Sequence, residues 1–332
     1  MLYPRMKAVI EKKTGVLVAG YVPELDFWQV GSRHLGLVLP GEIKNLQEQM
    51  RQLGDCLEKT LDVDALLKLG EKADIDALGS VTVTADGSSQ KCEAQKNADL
   101  VLQNQLSGEK ISHSAIRIRL GVAWDEAFCF YYRDNLEFLE KQGVQIVRFS
   151  PVHDKHLPDD LDGLLLGGGY PELYAKALGE NETIRNEIRR KAEEDMPILA
   201  ECGGYLYLLK ELKDENGTGY EMAGVFSGKG YKKGKNSHFG YITVQTERDS
   251  LYLKAGETIK GHEFHYWEST QDENELKMQA KKPTGKRSWP CVTVKNQVMA
   301  GFPHLYYPSL EGFGERFVQA CDRYRMKRKR QQ

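Results

Sequence analysis

The 332 residues carry 46 Lys and Arg against 48 Asp and Glu, a formal net charge of −2, with 40% hydrophobic and 28% charged residues. That balance describes a globular chain long enough for two domains of roughly 100–200 residues each, and it gives no electrostatic reason to expect nucleic acid as a partner. No apolar run approaches the roughly 18 residues of a membrane helix, no signal-peptide pattern opens the chain, and the six scattered cysteines form no C-x-x-C pair, so a cytoplasmic chain with reduced thiols is expected.

Residues 7–13 read as the end of a helix, 15–22 as a buried strand, and 36–39 as a second short strand. From 42 to 69, Ile43, Leu46, Met50, Leu53, Leu57, Leu61, Leu66 and Leu67 keep helical spacing, which predicts one long helix or two. Between about 74 and 114 the chain turns polar and loses periodicity, which predicts a linker, with Val81 to Thr84 as an edge strand. Strands at 116–124, 144–149, 163–166 and 198–201 then alternate with helices at 134–142 and 183–194, the pattern of a mainly parallel sheet covered on both faces. Residues 220–302 read as antiparallel strands added to that sheet, and the basic run 323–330 as a solvated tail.

Ligands of such a sheet collect at the carboxyl ends of its strands, and two glycine-flanked turns fall there. Cys202 follows the strand at 198–201, with Ala200, Gly203 and Gly204 as the small neighbours that a sharply bent strand-to-helix turn requires. A cysteine at a helix N-terminus has its thiolate favoured, which suits a nucleophile; a buried structural cysteine is the alternative. Gly167, Gly168 and Gly169 end the strand at 163–166 and can offer backbone N–H groups to an oxyanion, or form a loose turn. Among eight histidines, His304 follows the strand-like 297–302 and reaches the same sheet edge, where a general base belongs. Gly261-His-Glu-Phe-His-Tyr266 lacks the H-E-x-x-H spacing of a helical zinc site; as a strand it sets His262 and Phe264 on one face and Glu263 and His265 on the other. A polar, substrate-facing edge is expected there, with no metal.

Taken in order, Gly121-Val-Ala-Trp-Asp-Glu-Ala-Phe-Cys-Phe-Tyr-Tyr-Arg-Asp-Asn135, Leu166-Gly-Gly-Gly-Tyr-Pro-Glu172, Ala200-Glu-Cys-Gly-Gly204 and Gly261-His-Glu-Phe-His-Tyr266 resemble the cobyrinate a,c-diamide synthase family of cobalamin biosynthesis. Gly20-Tyr-Val-Pro23 and Arg33-His-Leu-Gly-Leu-Val38 resemble the last part of that family's ATP-binding half. The resemblance implies an α/β chain in which a class I glutamine amidotransferase-like, flavodoxin-like domain at 115–315 follows the C-terminal part, 1–75, of a P-loop dethiobiotin-synthetase-like α/β domain. The linker at 76–114 and a basic tail at 316–332 complete that division.

It also implies a carbon–nitrogen ligase with glutamine as amido donor. Cys202 would be the glutaminase nucleophile and His304 its base, Gly168, Gly169 and Gly203 would line the oxyanion and glutamine site, and the released ammonia would amidate the a and c carboxylates of cobyrinate. ATP and Mg2+ are the implied cofactors, and glutamine and cobyrinate or a related tetrapyrrole the implied partners, with a homodimer allowed. Ordinary class I amidotransferases carry a Glu two residues after the His; here Tyr306 stands there, so a Cys–His dyad is expected and the group that orients His304 is open. The sequence has no G-x-x-x-x-G-K-[ST] loop, so the ATP site is expected to be incomplete and the first strands of the synthetase domain missing. Sister amidations, of cobyric acid, hydrogenobyrinate or nickel-sirohydrochlorin, and a catalytically silent binding remnant are the alternatives.

Overall fold

A computed structural model describes residues 2–28, 31–33, 36–37, 43–72, 118–233, 238–271, 276–285 and 287–331. The chain divides into two compact units, Met1–Ser112 and His113–Gln332. Among the described residues no helix is long and apolar enough to cross a membrane.

In the first unit, α1 (Tyr3–Thr14) stops at Gly15, whose left-handed φ of 70° lets its N–H bond the Glu11 carbonyl. β1 (Ser32–Arg33) pairs antiparallel with β2 (Gly36–Leu37). The long helical periodicity resolves into α2 (Leu46–Thr60) and α3 (Val63–Lys72). Leu61 between them is extended, and the Asp62 carboxylate accepts the Ala65 N–H at 3.0 Å to restart the helix. The buried strand expected at 15–22 is absent: only Gly20 makes a bridge, to Leu61, and Val16 and Val22 are 61% and 62% exposed. An apolar run becomes a buried strand only where ladder partners flank it, and one bridge is all that the described residues supply. The expected linker at 76–114, its Val81 to Thr84 patch, and residues 38–39 of the second expected strand lie outside the described residues.

The second unit begins β3 (Ile118–Ala123), β4 (Phe128–Phe130), α4 (Arg133–Lys141), β5 (Val144–Phe149), β6 (Gly163–Leu166) and β7 (Gly168–Gly169). It continues with α5 (Ala175–Glu180), α6 (Glu182–Glu193), β8 (Ile198–Glu201) and α7 (Gly203–Leu208). Then follow β9 (Glu211–Lys213), β10 (Gly219–Glu221), β11 (Lys229–Lys232), β12 (His238–Gln245), β13 (Thr258–His265), β14 (Trp267–Ser269), β15 (Leu276–Lys281), β16 (Ser288–Lys295), β17 (Val298–Gly301) and β18 (His304–Leu305), before the closing α8 (Phe313–Gln331). Ten strands form one sheet in the order β18-β13-β12-β15-β16-β17-β8-β6-β3-β5. The five from β17 to β5 run parallel, and from β17 through β16 to β18 each pair is antiparallel, as the sequence pattern implies.

Every residue of β6 and β8 is buried, which is why both read as apolar runs, broken only by Glu201 at the end of β8. Alternation divides their side chains: Leu164 and Leu166 enter one core, covered by Ile184, Ile188 and Ala192 of α6, while Leu165 enters the other, covered by Phe313, Phe317, Ala320 and Cys321 of α8. Helix α8 corrects the expectation of a solvated tail at 323–330. Its basic residues share the helix with an apolar stripe, and Arg328 pairs with Asp160 and Asp162.

Candidate active site

Cys202 stands between β8 and α7 with φ 49° and ψ −102°, a conformation that costs a non-glycine residue free energy and persists only where its surroundings fix it. Its N–H donates to the Gly301 carbonyl of β17 at 2.8 Å, and its own carbonyl accepts the Leu206 N–H at 3.1 Å. Gly204 is forced by close approach: a Cβ there would lie 2.0 Å from the Leu166 carbonyl oxygen. The strand-to-helix turn expected from the sequence is therefore present.

The thiol itself runs against expectation. Burial, with the Cys202 side chain only 6% exposed, pushes it up to about 12; Glu172 adds to this, and so do Glu263 and Glu201, while the Gly203 N–H opposes them. Helix α7 has six residues, too short a dipole to overcome that desolvation.

The three glycines named from the sequence surround this turn. β7 pairs antiparallel with β4, setting Gly169 opposite Phe128 and Gly168 opposite Phe130. A Cβ on Gly203 would lie 3.0 Å from the Gly169 nitrogen, and a Cβ on Gly168 would lie 2.3 Å from His304 Cε1. So Gly168 lies against the imidazole and Gly203 against Gly169. The strand is held from behind by Tyr131, whose hydroxyl donates to the Ala123 carbonyl and accepts the Gly167 N–H at 2.9 Å.

His304 opens β18, six places from β8 in the hydrogen-bonded order of the sheet. Phe302 and Pro303 alone separate it from the end of β17, so the antiparallel half must curl back and return β18 to the nucleophile end of β8. Burial lowers the imidazole to about 4, with His262 and His265 adding to the effect. Its Nδ1 lies 4.0 Å from Oε2 of Glu201, the residue immediately before Cys202.

Glu201 is the side chain beside His304 that the motifs did not single out. Its Oε1 accepts the Tyr307 hydroxyl at 3.1 Å and the Leu305 N–H at 3.3 Å, and burial pushes its carboxyl up to about 8. Tyr306, at the position where ordinary class I enzymes carry the acid, is 37% exposed and its hydroxyl instead donates to Asp134 at 3.4 Å. The available signal was a carboxylate ending a strand that is otherwise apolar. A cavity of about 210 Å3 lined by Cys129, Phe130, Tyr131, Tyr132, Glu201 and His304 adjoins the pair. A larger depression of about 790 Å3, beside Thr246, Arg248 and Leu251, shares none of these residues.

Gly261 to His265 of the motif form the end of β13, and burial alternates along them as expected: Glu263 and His265 are buried, His262 and Phe264 partly exposed. His262 packs edge-on to Phe239 and Tyr241, whereas His265 stacks on Phe302 at 3.9 Å. Burial raises Glu263 to about 7 and lowers His265. Cys291 and Cys321 are free thiols like Cys202, and Cys92 lies outside the described residues.

Residues 119–310 match the model of the CobB/CobQ-like glutamine amidotransferase domain. The cobyrinate a,c-diamide synthase of Caldanaerobacter subterraneus subsp. tengcongensis is 34% identical over 323 residues, 97% of this chain and 65% of that protein. The Salmonella typhimurium protein of the same name is 36% identical over 264 residues, 80% of this chain and 52% of its own length. The chain thus spans about half to two thirds of the curated relatives it matches. Among solved structures, PurLQS from Thermotoga maritima superposes with a TM-score of 0.43 at 18% identity, over 63% of this chain and 98% of that one. With a domain match that takes in the nucleophile turn, the glycine strand and His304, the chain belongs to the CobB/CobQ-like glutamine amidotransferase family.

Proposed function

We propose that the second unit hydrolyses glutamine to glutamate and ammonia, with Cys202 as nucleophile, His304 as base and Glu201 as the group that positions His304. The observation that carries this reading is the convergence of three features: Cys202 in its strained turn, the His304 ring against Gly168, and the Glu201 carboxylate 4.0 Å from that ring.

The Cys202 sulfur attacks the side-chain amide carbon as His304 takes the thiol proton. The carbon–nitrogen bond breaks as His304 returns that proton to the leaving nitrogen, and water then hydrolyses the thioester to glutamate. Backbone N–H groups of Gly168, Gly169 and Gly203 serve the oxyanion. Burial keeps thiol and imidazole both neutral before substrate arrives, so proton transfer accompanies attack rather than preceding it. Glu201 then faces the imidazolium that forms, a charge that favours ionisation of its carboxyl.

The relatives' shared name extends the reading: in the whole protein the ammonia amidates the a and c carboxylates of cobyrinate, or equivalent carboxylates of a related tetrapyrrole. The sequence holds no G-x-x-x-x-G-K-[ST] loop, and no step is routed through ATP or Mg2+. Glutamate release from glutamine by the purified chain tests the proposal. Cys202→Ala is expected to abolish it, and a glutamine-analogue electrophile to label Cys202 alone; turnover that survives Cys202→Ala overturns the assignment.

A further inference from the structure

On the buried face of the β12–β13 ribbon, His238 lies directly opposite His265, and Glu263 stands two residues before His265 on the same face. One ligand atom from each of the three lies within 4.8 Å of the others. Donors bound at about 2.0–2.2 Å to a tetrahedral ion sit roughly 3.3 Å apart, so the three need draw in by at most about 1.5 Å.

Each ring and carboxylate is already oriented as a ligand. The His265 Nδ1 bonds the Trp267 carbonyl oxygen at 2.7 Å, so Nδ1 carries the proton and Nε2 presents its lone pair. That Nε2 is buried and has no hydrogen-bond partner among the described residues, although His265 is only 3% exposed. The Trp289 indole N–H donates to Glu263 Oε2 at 2.9 Å, and the same indole stacks on His238 at 4.2 Å with 8° between the planes. Phe302 stacks on the His265 ring at 3.9 Å.

We propose that His238, Glu263 and His265 bind one divalent transition cation of the zinc class, clamping β12 to β13 beside Phe302. Two imidazoles with one carboxylate suit zinc and cobalt, whereas calcium and magnesium prefer sites made of oxygen. The indole of Trp289 and the carbonyl of Trp267 are the outer supports that such ligands use.

Co2+ titration of the metal-free chain, followed by visible absorption and checked by metal analysis, tests this without any measure of catalysis. One Co2+ per chain is expected, displaced by one equivalent of Zn2+. Trp289→Phe keeps the ring but removes the N–H to Glu263 and is expected to weaken binding about 10–100-fold. His238→Ala, a partly exposed position at a strand start, should abolish stoichiometric binding while its far-ultraviolet dichroism stays that of the parent chain. Cys202→Ser should bind as the parent does. No Co2+ bound by the folded parent, equal affinity in His238→Ala, or binding lost in Cys202→Ser with a thiolate charge-transfer band in the parent would each overturn the proposal.

Discussion

Glu201 Oε2 and His304 Nδ1 lie 4.0 Å apart, a carboxylate and an imidazole brought together from residues 103 positions apart in the chain. At that separation the two groups, both neutral in the free chain, are not hydrogen-bonded, and catalytic contacts commonly tighten when substrate binds. Glu201→Gln keeps an oxygen for Tyr307 and Leu305 but cannot develop the charge that balances an imidazolium. We expect it to lower kcat for glutamine hydrolysis about 100-fold with little change in KM, because the lost interaction belongs to the transition state. Equal loss in a Tyr306→Phe variant would argue against the pairing, since Tyr306 does not face the imidazole.

Gly168 offers a steric test of the same imidazole. A methyl group at this position would sit 2.3 Å from His304 Cε1, so the ring must move. A displacement of about 1 Å costs on the order of 100-fold in rate when it breaks near-attack geometry. Gly168→Ala is therefore expected to lose glutaminase turnover while keeping its urea unfolding midpoint close to the parent's. Unchanged turnover would mean that the ring position observed here is not the working one.

The parts that were legible in the sequence are those a local rule dictates. β6 and β8 are fully buried and so read as apolar runs, with Glu201 the one exception at the end of β8, and the bend at Cys202 demands the small residues beside it. Glu201 was not legible as a partner of His304, because only the curl that brings β18 back to β8 joins them. Thiol chemistry was misjudged for a different reason: a helix start was weighed without the burial that outweighs it at Cys202. Residues 15–22 show the same limit, since an apolar run does not reveal whether a neighbouring strand exists. In α8 the cationic residues concealed a helical stripe of Phe313, Phe317, Ala320, Cys321 and Tyr324.

Stability should fall as pH rises from about 6.5 to about 8. Burial raises Glu201 to about 8 and Glu263 to about 7, so in this window the folded chain retains protons that an unfolded carboxyl, with its ordinary value of 4.5, has released. More protons bound by the folded state means a negative slope, up to about 1.4 kcal/mol per pH unit for each fully retained proton. The histidines act oppositely but lower down: His304 and His238, depressed to about 4, stabilise the fold as pH climbs towards 6.5 and contribute no slope above it. Between about 4.5 and 6.5 the protons retained by Glu201 and Glu263 offset the histidine contribution. Urea unfolding of the parent and Glu201→Gln at several pH values separates these effects: the variant should lose much of the decline between about 6.5 and 8 and show a steeper rise between about 4.5 and 6.5, and identical slopes would remove Glu201 as the cause.

Helix α8 gives a graded stability series. Phe317 is 1% exposed and meets Tyr252 edge-on at 5.3 Å, so Phe317→Ala should cost about 3–5 kcal/mol through lost transfer energy and the cavity left behind. Arg328 donates at 2.9 Å to Asp162, a carboxylate only 1% exposed whose other oxygen accepts the Arg119 N–H. Arg328→Ala leaves that buried oxygen without its cation, and about 1–3 kcal/mol is expected. Lys327, 3.6 Å from Asp195 with both side chains more than half exposed, should cost under about 0.5 kcal/mol when replaced by alanine. The order Phe317, Arg328, Lys327 in urea unfolding is what a docked helix produces. A solvated tail would place all three variants within error of the parent, because none of the three side chains would then have left water on folding.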